Sequence, residues 1–328
     1  MERKEGFIEL NQILDLSDFS GSLADLHGAL KNNPNVEIIH YEPFEPNKIL
    51  CMFKYNGNVY YWKYDQYSLV YNELIIEEIS RDLQIPCVNY DLAKIGNIKG
   101  VISKSYIIAG NKYISGSDLI HNRKDHHTLN DIKDALKVRY ANNPQIEKIV
   151  DHIMNRLIQV YVLDILTAQT DRHPSNWGIV ESADGSIDLQ PIFDNERAHF
   201  MTFTPYLDIV NLQLHITSWS QYLEFAEKYG EFPHNLQPQL HANDTSTNFA
   251  SEIESFWQYN NVKLNDLLSD RLWVISQENL KKVFERIENK TNYLMPDELK
   301  KDMLRNASIY YKFITKELEK NMIEKKKR

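Results

Sequence analysis

The side chains best suited to chemistry sit in two short runs just past the middle of the chain. These are Thr170-Asp171-Arg172-His173-Pro174-Ser175-Asn176-Trp177 and Pro191-Ile192-Phe193-Asp194-Asn195-Glu196. Together they offer two acids and an amide on loops. Asp171 and Asn176 are five positions apart, and Asp194 closes the second run. Carboxylate and amide oxygens are hard donors of the kind magnesium prefers, and that ion keeps part of its water shell, so few protein ligands suffice. Taken alone, the Asp171–Asn176 spacing has a plainer reading, since Asp and Asn favour turns. In that reading Asp171 caps a turn and Asn176 starts a strand.

The elements around the two runs are what a positioned site needs. A long apolar pattern over Pro144–Gln169 predicts a helix whose apolar pairs step by four, from Ile149/Val150 to Ile165/Leu166. Its second half is apolar on nearly every face, which predicts burial. It delivers Asp171 at its end. Between the two runs, Trp177–Val180 and Ser186–Ile192 read as a β-hairpin turning at Ala183-Asp184-Gly185.

Further upstream, Ile49–Tyr55 and Val59–Tyr64 flank Asn56-Gly57-Asn58. Asn-Gly between β-rich runs is a strong hairpin signal, because both central residues take positive φ. On the second strand Tyr61 and Lys63 share one face, and Tyr60, Trp62 and Tyr64 the other. A lysine on the inner face of a strand needs a partner for its charge. Leu69–Leu83 predicts an amphipathic helix with Glu73 at the border of its apolar face and Glu77 one turn later. The plainer reading has Lys63 snorkelling from an edge strand and the glutamate solvated. Pro86–Ala93 and Gly100–Ile108 are predicted as the next strands, joined around Gly96-Asn97.

Asp171-Arg172-His173-x-x-Asn176-Trp177-Gly178, followed by Leu189-Gln190-Pro191-Ile192-Phe193-Asp194, resembles the HipA-like serine/threonine kinases of the protein-kinase superfamily. The Asp-Arg-His-x-x-Asn core is also similar to phosphoinositide kinases. Tyr71-Asn72-Glu73 resembles the Asn-Glu that opens the corresponding helix in the HipA-like branch. The resemblance spans roughly residues 50–200; the first 45 and the last 120 or so match in architecture only.

It implies an α+β, two-lobed, protein-kinase-like fold. Residues 1–110 would form a β-rich N-terminal lobe with one long helix, and residues 111–328 a mostly α-helical C-terminal lobe. ATP with magnesium would lie between them. By resemblance, Lys63 paired with Glu73 holds the nucleotide phosphates, with Glu77 the alternative partner. Asp171 accepts the substrate hydroxyl proton, and Asn176 and Asp194 hold magnesium. Backbone groups near Ser105–Ile107, with Ser105 and Ile107 at its ends, would meet adenine. His173 is either a group that touches the metal carboxylate or the transferred phosphoryl, or a packed loop histidine. Glu196 is a further candidate ligand of metal or water.

The resemblance also implies a protein substrate, either the chain itself or a translation factor. It brings an antitoxin or other regulator as a partner, and the role of a toxin or effector. Two other classes stay open, a pseudokinase that binds nucleotide without transfer and a phosphoinositide-type lipid kinase. Two departures are visible. No Gly-x-Gly-x-x-Gly precedes the Lys63 strand; the turn at Pro43–Asn47 takes that place without a glycine. Asn195, not Phe-Gly, follows Asp194.

Bulk properties narrow the classes. The chain has 328 residues, 42% hydrophobic and 25% charged, enough for a sizeable core. A formal net charge of −9 argues against generic nucleic-acid binding and against a basic membrane face. Cys51 and Cys87 sit in apolar strand-like patterns and read as buried free thiols. No apolar run reaches the roughly 18 residues of a membrane span, and the N-terminus has no secretion core. The expected location is the cytoplasm, with specialised export signals outside this test.

The rest of the chain reads mainly as helix. Ser22–Lys31, Gly116–Asn122, Thr128–Arg139, Trp219–Tyr229, Asn248–Tyr259, Ser276–Lys290 and Pro296–Glu324 are predicted helical, and Val36–Tyr41 a strand. Arg197–Asn211 would be the activation segment, with Thr202, Thr204 and Tyr206 either phosphosites or ordinary loop residues. His121, His126 and His127 are close in sequence but diverge as neighbours, a poor set of metal ligands.

Overall fold

The computed structural model describes residues 3–4, 6–10, 36–45, 48–65, 70–107, 110–120, 127–198, 240–241, 252–253, 258–259 and 262–327, with positions 14, 26 and 29. It is a two-part α+β fold. Among the described residues, a seven-stranded sheet and one long helix form the first part, and helices with three small sheets form the second.

The large sheet contains β1 (Arg3–Lys4), β2 (Phe7–Glu9), β3 (Glu37–Glu45), β4 (Lys48–Tyr55), β5 (Asn58–Asp65), β6 (Tyr90–Ile95) and β7 (Ile98–Lys104). Its order is β1-β2-β6-β7-β5-β4-β3. The β4–β5 hairpin turns through Asn56 and Gly57, both at positive φ (48° and 74°), as the sequence predicts. Alternation divides the sheet. Cys51, Phe53, Trp62, Ala93 and Ile102 face a core shared with Leu10, Leu14 and Leu26. Lys63 of β5 faces the other way, toward α1 (Val70–Asp82). Every residue of α1 from Tyr71 to Ser80 is buried. An amphipathic helix exposes one face; this one is covered on all sides, by the sheet and by the C-terminal helices.

Three differences from the sequence reading come from backbone pairing. The strand predicted over Pro86–Ala93 begins only at Tyr90, because Cys87 instead bridges to Ile192 of the second part. The helix predicted over Asn248–Tyr259 stops short: Gln258–Tyr259 (β13) pairs with Val262–Lys263 (β14). Lys112–Ser115 (β8), not anticipated as a strand, joins the predicted hairpin as its third member.

In the second part, α2 (Gly116–Leu119) and β9 (His127–Thr128) lead to α3 (Leu129–Arg139). Thr128 and Asp131 cap α3 reciprocally, satisfying two otherwise orphaned amides. The central helix α4 (Ile146–Thr167) is buried from Val160 onward and ends at Ala168, in the left-handed region (φ 48°). The hairpin strands are β10 (Gly178–Glu181) and β11 (Ile187–Leu189). A short β12 (Leu240–His241) pairs with β9. The chain then continues through α5 (Leu264–Arg271), α6 (Gln277–Thr291) and α7 (Asp297–Lys327). The last two start at a Ser276 cap and an acidic first turn. Among the described residues no helix is long and apolar enough to cross a membrane. The predicted helix at Trp219–Tyr229, the candidate phosphosites at 202, 204 and 206, and the turn residues 46 and 47 lie outside the described residues.

Gly100 of β7 lies against β5 beneath Lys63. A Cβ there would fall 2.0 Å from the Lys63 carbonyl oxygen, a backbone atom that cannot swing away. Gly100→Ala is expected to destabilise the protein by about 1–3 kcal/mol and to displace the Lys63 strand. A lowered melting temperature checks the first effect. Faster acylation of the Lys63 amine in the protein that remains folded checks the second. Cys51 is fully buried, and burial pushes its thiol pKa up to about 12. It should resist thiol reagents at pH 8 until the protein is unfolded, as thiol titration with and without denaturant would measure.

Candidate active site

The site is built where the inner face of β5, the N-terminal half of α1 and two loops of the second part meet. Lys63 Nζ donates to Glu73 Oε1 at 2.9 Å and makes a close ion pair with Asp194 Oδ1. Glu196 Oε2 stands 4.0 Å from the same ammonium. Glu73, not Glu77, is the partner of Lys63. Glu73, Asp194 and Glu196 each present a carboxylate oxygen, and these oxygens lie within 4.8 Å of one another.

One ammonium therefore faces three carboxylates in a largely dry space. Burial works to lower the Lys63 pKa, but Asp194, Glu73 and Glu196 outweigh it and hold it well above the ordinary value. The Glu73 pKa is raised by burial. Lys63 opposes that shift; Asp194 and Glu196 add to it. The backbone N–H of Asn195 donates to Glu73 Oε2 at 2.9 Å and ties the metal-loop candidate to α1.

Asp171 follows the left-handed end of α4. Its N–H donates to Gln169 Oε1 (3.1 Å), and Arg197 Nε approaches its carboxylate at 3.5 Å. Burial raises the Asp171 pKa, against the pull of Arg197. A raised pKa moves a carboxylate toward the range in which it can accept a proton at neutral pH. Asn176 Nδ2 donates to the Asp171 carbonyl at 2.7 Å. That commits the amide nitrogen and leaves Oδ1 as the atom able to ligate a cation.

Arg172 fastens the two loops together. Its guanidinium is 1% exposed, and all five N–H donors have acceptors. Nε and Nη2 hold the Asp164 carboxylate (3.1 and 3.0 Å). Nη1 holds the carbonyls of Asn176 (3.2 Å) and Phe193 (2.8 Å). Nη2 also reaches Asn195 Oδ1 at 2.7 Å. One nitrogen thus binds backbone at the candidate metal ligand Asn176 and at the residue before Asp194. Asp194 itself has φ 58°, a left-handed conformation that Asp tolerates better than most side chains.

No protein-family model matches the sequence, and no curated protein matches it. Among solved structures, the proinflammatory kinase CtkA of Helicobacter pylori is similar at 20% identity, over 88% of this chain and 96% of that one, with a TM-score of 0.59. The chain has a protein-kinase-like fold. HipA of Shewanella oneidensis MR-1, solved with HipB and its operator DNA, aligns at 15% identity over 90% of this chain and 72% of that one, with a TM-score of 0.44.

Within this kinase-like fold the remaining candidates are placed as follows. His173 is half-buried, and its Nδ1 accepts the Ser175 N–H at 3.2 Å, capping a short 3-10 turn. Ser105 N–H donates to the Val59 carbonyl (2.8 Å) and Ile107 N–H to Ser105 Oγ (3.2 Å). The Ser105 and Ile107 amides are thus already engaged within the chain. Tyr106 between them packs on Phe193, ring centroids 5.8 Å apart, so the hinge candidate rests on the metal loop. His127 accepts the Trp177 Nε1–H at 3.1 Å, while His121 and His126 lie outside the described residues.

Sequence reasoning missed Asp164 and Tyr90, and it named Asn72 and Asn195 without the contacts they make. Asp164 had a signal: it is the one acid in an otherwise apolar half-helix, and a buried acid demands a cation. Asn72 holds the carbonyls of Glu196 (2.6 Å) and Ala198 (3.2 Å), and nothing local announces contacts across more than 120 positions. Arg172→Ala would strand a buried carboxylate and should cost about 3–5 kcal/mol. Arg172→Lys keeps the charge but loses the fork. In the folded Arg172→Lys protein, divalent-metal affinity measured with nucleotide present should fall by roughly 10- to 100-fold.

Proposed function

We propose that this protein is an ATP- and magnesium-dependent kinase that phosphorylates a serine or threonine hydroxyl of a protein. The observation that carries the proposal is the convergence of Lys63, Glu73 and Asp194 beside an Asp171–Asn176 loop, inside a kinase-like fold. The donor set suits the ion. It is all oxygen, and its surplus of negative charge calls for a divalent cation. Asn176 and Asp194 would hold magnesium, with Glu196 at hand. When bound, the metal neutralises phosphate charge.

Each protein group then has a task that needs no covalent intermediate on the enzyme. Lys63, released from Asp194 and oriented by Glu73, binds the nucleotide phosphates. Asp171 orients the substrate hydroxyl and accepts its proton. The hydroxyl oxygen forms a bond to the γ-phosphorus as the bond to the β–γ bridging oxygen breaks, and ADP leaves. Positioning and charge neutralisation carry the rate. Residues 1–110 act as the nucleotide lobe and 111–328 as the substrate lobe.

The HipA-like motif resemblance supports a protein substrate, either this chain or a translation factor, and an antitoxin or other regulator as partner. The cytoplasm is the proposed location, with export as an effector the alternative. Incubation with γ-labelled ATP and magnesium tests the proposal. Label is expected on the protein or on lysate proteins, and it should be lost in Asp171→Ala. Thermal stabilisation by ATP with no transfer would make the chain a pseudokinase, and label confined to lipid would make it a lipid kinase. Either result overturns the proposal.

A further inference from the structure

The acidic face of α1 is held by cations from a helix about two hundred positions away. Lys290 Nζ of α6 donates to both carboxylate oxygens of Glu77 (2.7 and 2.8 Å). Arg286 donates to Glu78 Oε2 and to Asp82 Oδ2, each at 2.8 Å. Asn279, in the first turn of α6, adds a bond to Asp82 at 3.0 Å. Glu77 and Glu78 are 3% and 1% exposed, so these are not surface pairs that solvent would replace at little cost.

Glu77 is also wired to the site. Its Oε2 accepts the Tyr90 N–H at 2.9 Å, and the Tyr90 hydroxyl accepts the Asp194 N–H at 3.4 Å. Glu73, which holds Lys63, lies one turn before Glu77 on the same helix. Arg81 of α1 itself also pairs with Glu77 (3.2 Å) and Glu78 (2.6 Å) and would move with them. A rotation or tilt of α1 large enough to separate Glu73 from Lys63 would pull Glu77 and Glu78 off the α6 cations and leave two buried carboxylates sharing the half-exposed Arg81. Such a state is disfavoured.

We propose that Arg286 and Lys290 are positioning residues for phosphoryl transfer: through Glu77, Glu78 and Asp82 they lock α1 so that Glu73 stays on Lys63. The functional consequence rests on the kinase reading above; the lock itself does not.

The test compares Lys290→Met and Arg286→Gln with the charge-conserving Lys290→Arg. The rate at which an amine-acylating reagent labels Lys63 is read by mass spectrometry, and Cys51 reactivity reports whether the small lobe stays closed. In Lys290→Met, Lys63 should label several-fold faster while Cys51 stays inert, and Mg·ATP affinity should weaken on the order of tenfold. Lys290→Arg should match wild type in both. If Lys290→Met exposes Cys51, its fold is lost and Arg286→Gln, which keeps the second cation, decides by the same readouts. Lys63 labelling at the wild-type rate in the folded variants overturns the proposal. A wild-type protein that neither binds nor turns over ATP defeats the kinase reading instead, and the Lys63 labelling rates still decide the lock.

Discussion

A single buried ammonium set against three carboxylates organises this molecule. Charges removed from water must be paired, and here the pairing spans the fold. Lys63 comes from the sheet, Glu73 from α1, and Asp194 and Glu196 from the loop after the hairpin. No two of these neighbours in space are neighbours in sequence except the last pair. Bringing them together therefore requires the sheet, the long helix and the central helix to be in register at once. The excess negative charge that results disfavours the ligand-free state. In the proposed function, a divalent cation and phosphates would offset it.

The surrounding polar network has the same logic at larger radius. Arg172 spends every donor on fixing the loops that carry Asn176 and Asp194 to Asp164 of α4. Asn72 and Glu73, adjacent on α1, hold the backbone of residues 195, 196 and 198 from the other side. Asp194 thus sits in a left-handed conformation between two anchors, one from each part of the fold. Backbone held in an uncommon conformation by its surroundings is a recurrent feature of functional sites.

The parts of this arrangement that local chemistry specifies were legible in the sequence. Asn56-Gly57 announced its hairpin, the four-step apolar pairs announced α4, and the Asp171, Asn176 and Asp194 spacings pointed to the site. Lys63 was legible because alternation put it on an inner face. What stayed hidden depends on distant partners. Lys112–Ser115 is only four residues long, and becomes a strand because Gly178–Glu181 lies beside it. Phe7–Glu9 is three residues long and pairs in parallel with β6, a contact no local pattern encodes. The burial of Glu77 and Glu78 inverted the usual reading of helix glutamates as solvated, because Arg286 and Lys290 arrive from the far end of the chain.

The most direct test of the central claim is electron paramagnetic resonance of manganese, used in place of magnesium, titrated with the protein and a non-hydrolysable ATP analogue. The six-line signal of the free ion should diminish to a single-site end point that Asp194→Asn abolishes. A free-ion signal unchanged by wild-type protein, or bound equally by Asp194→Asn, would contradict the reading of this carboxylate cluster as a cation site.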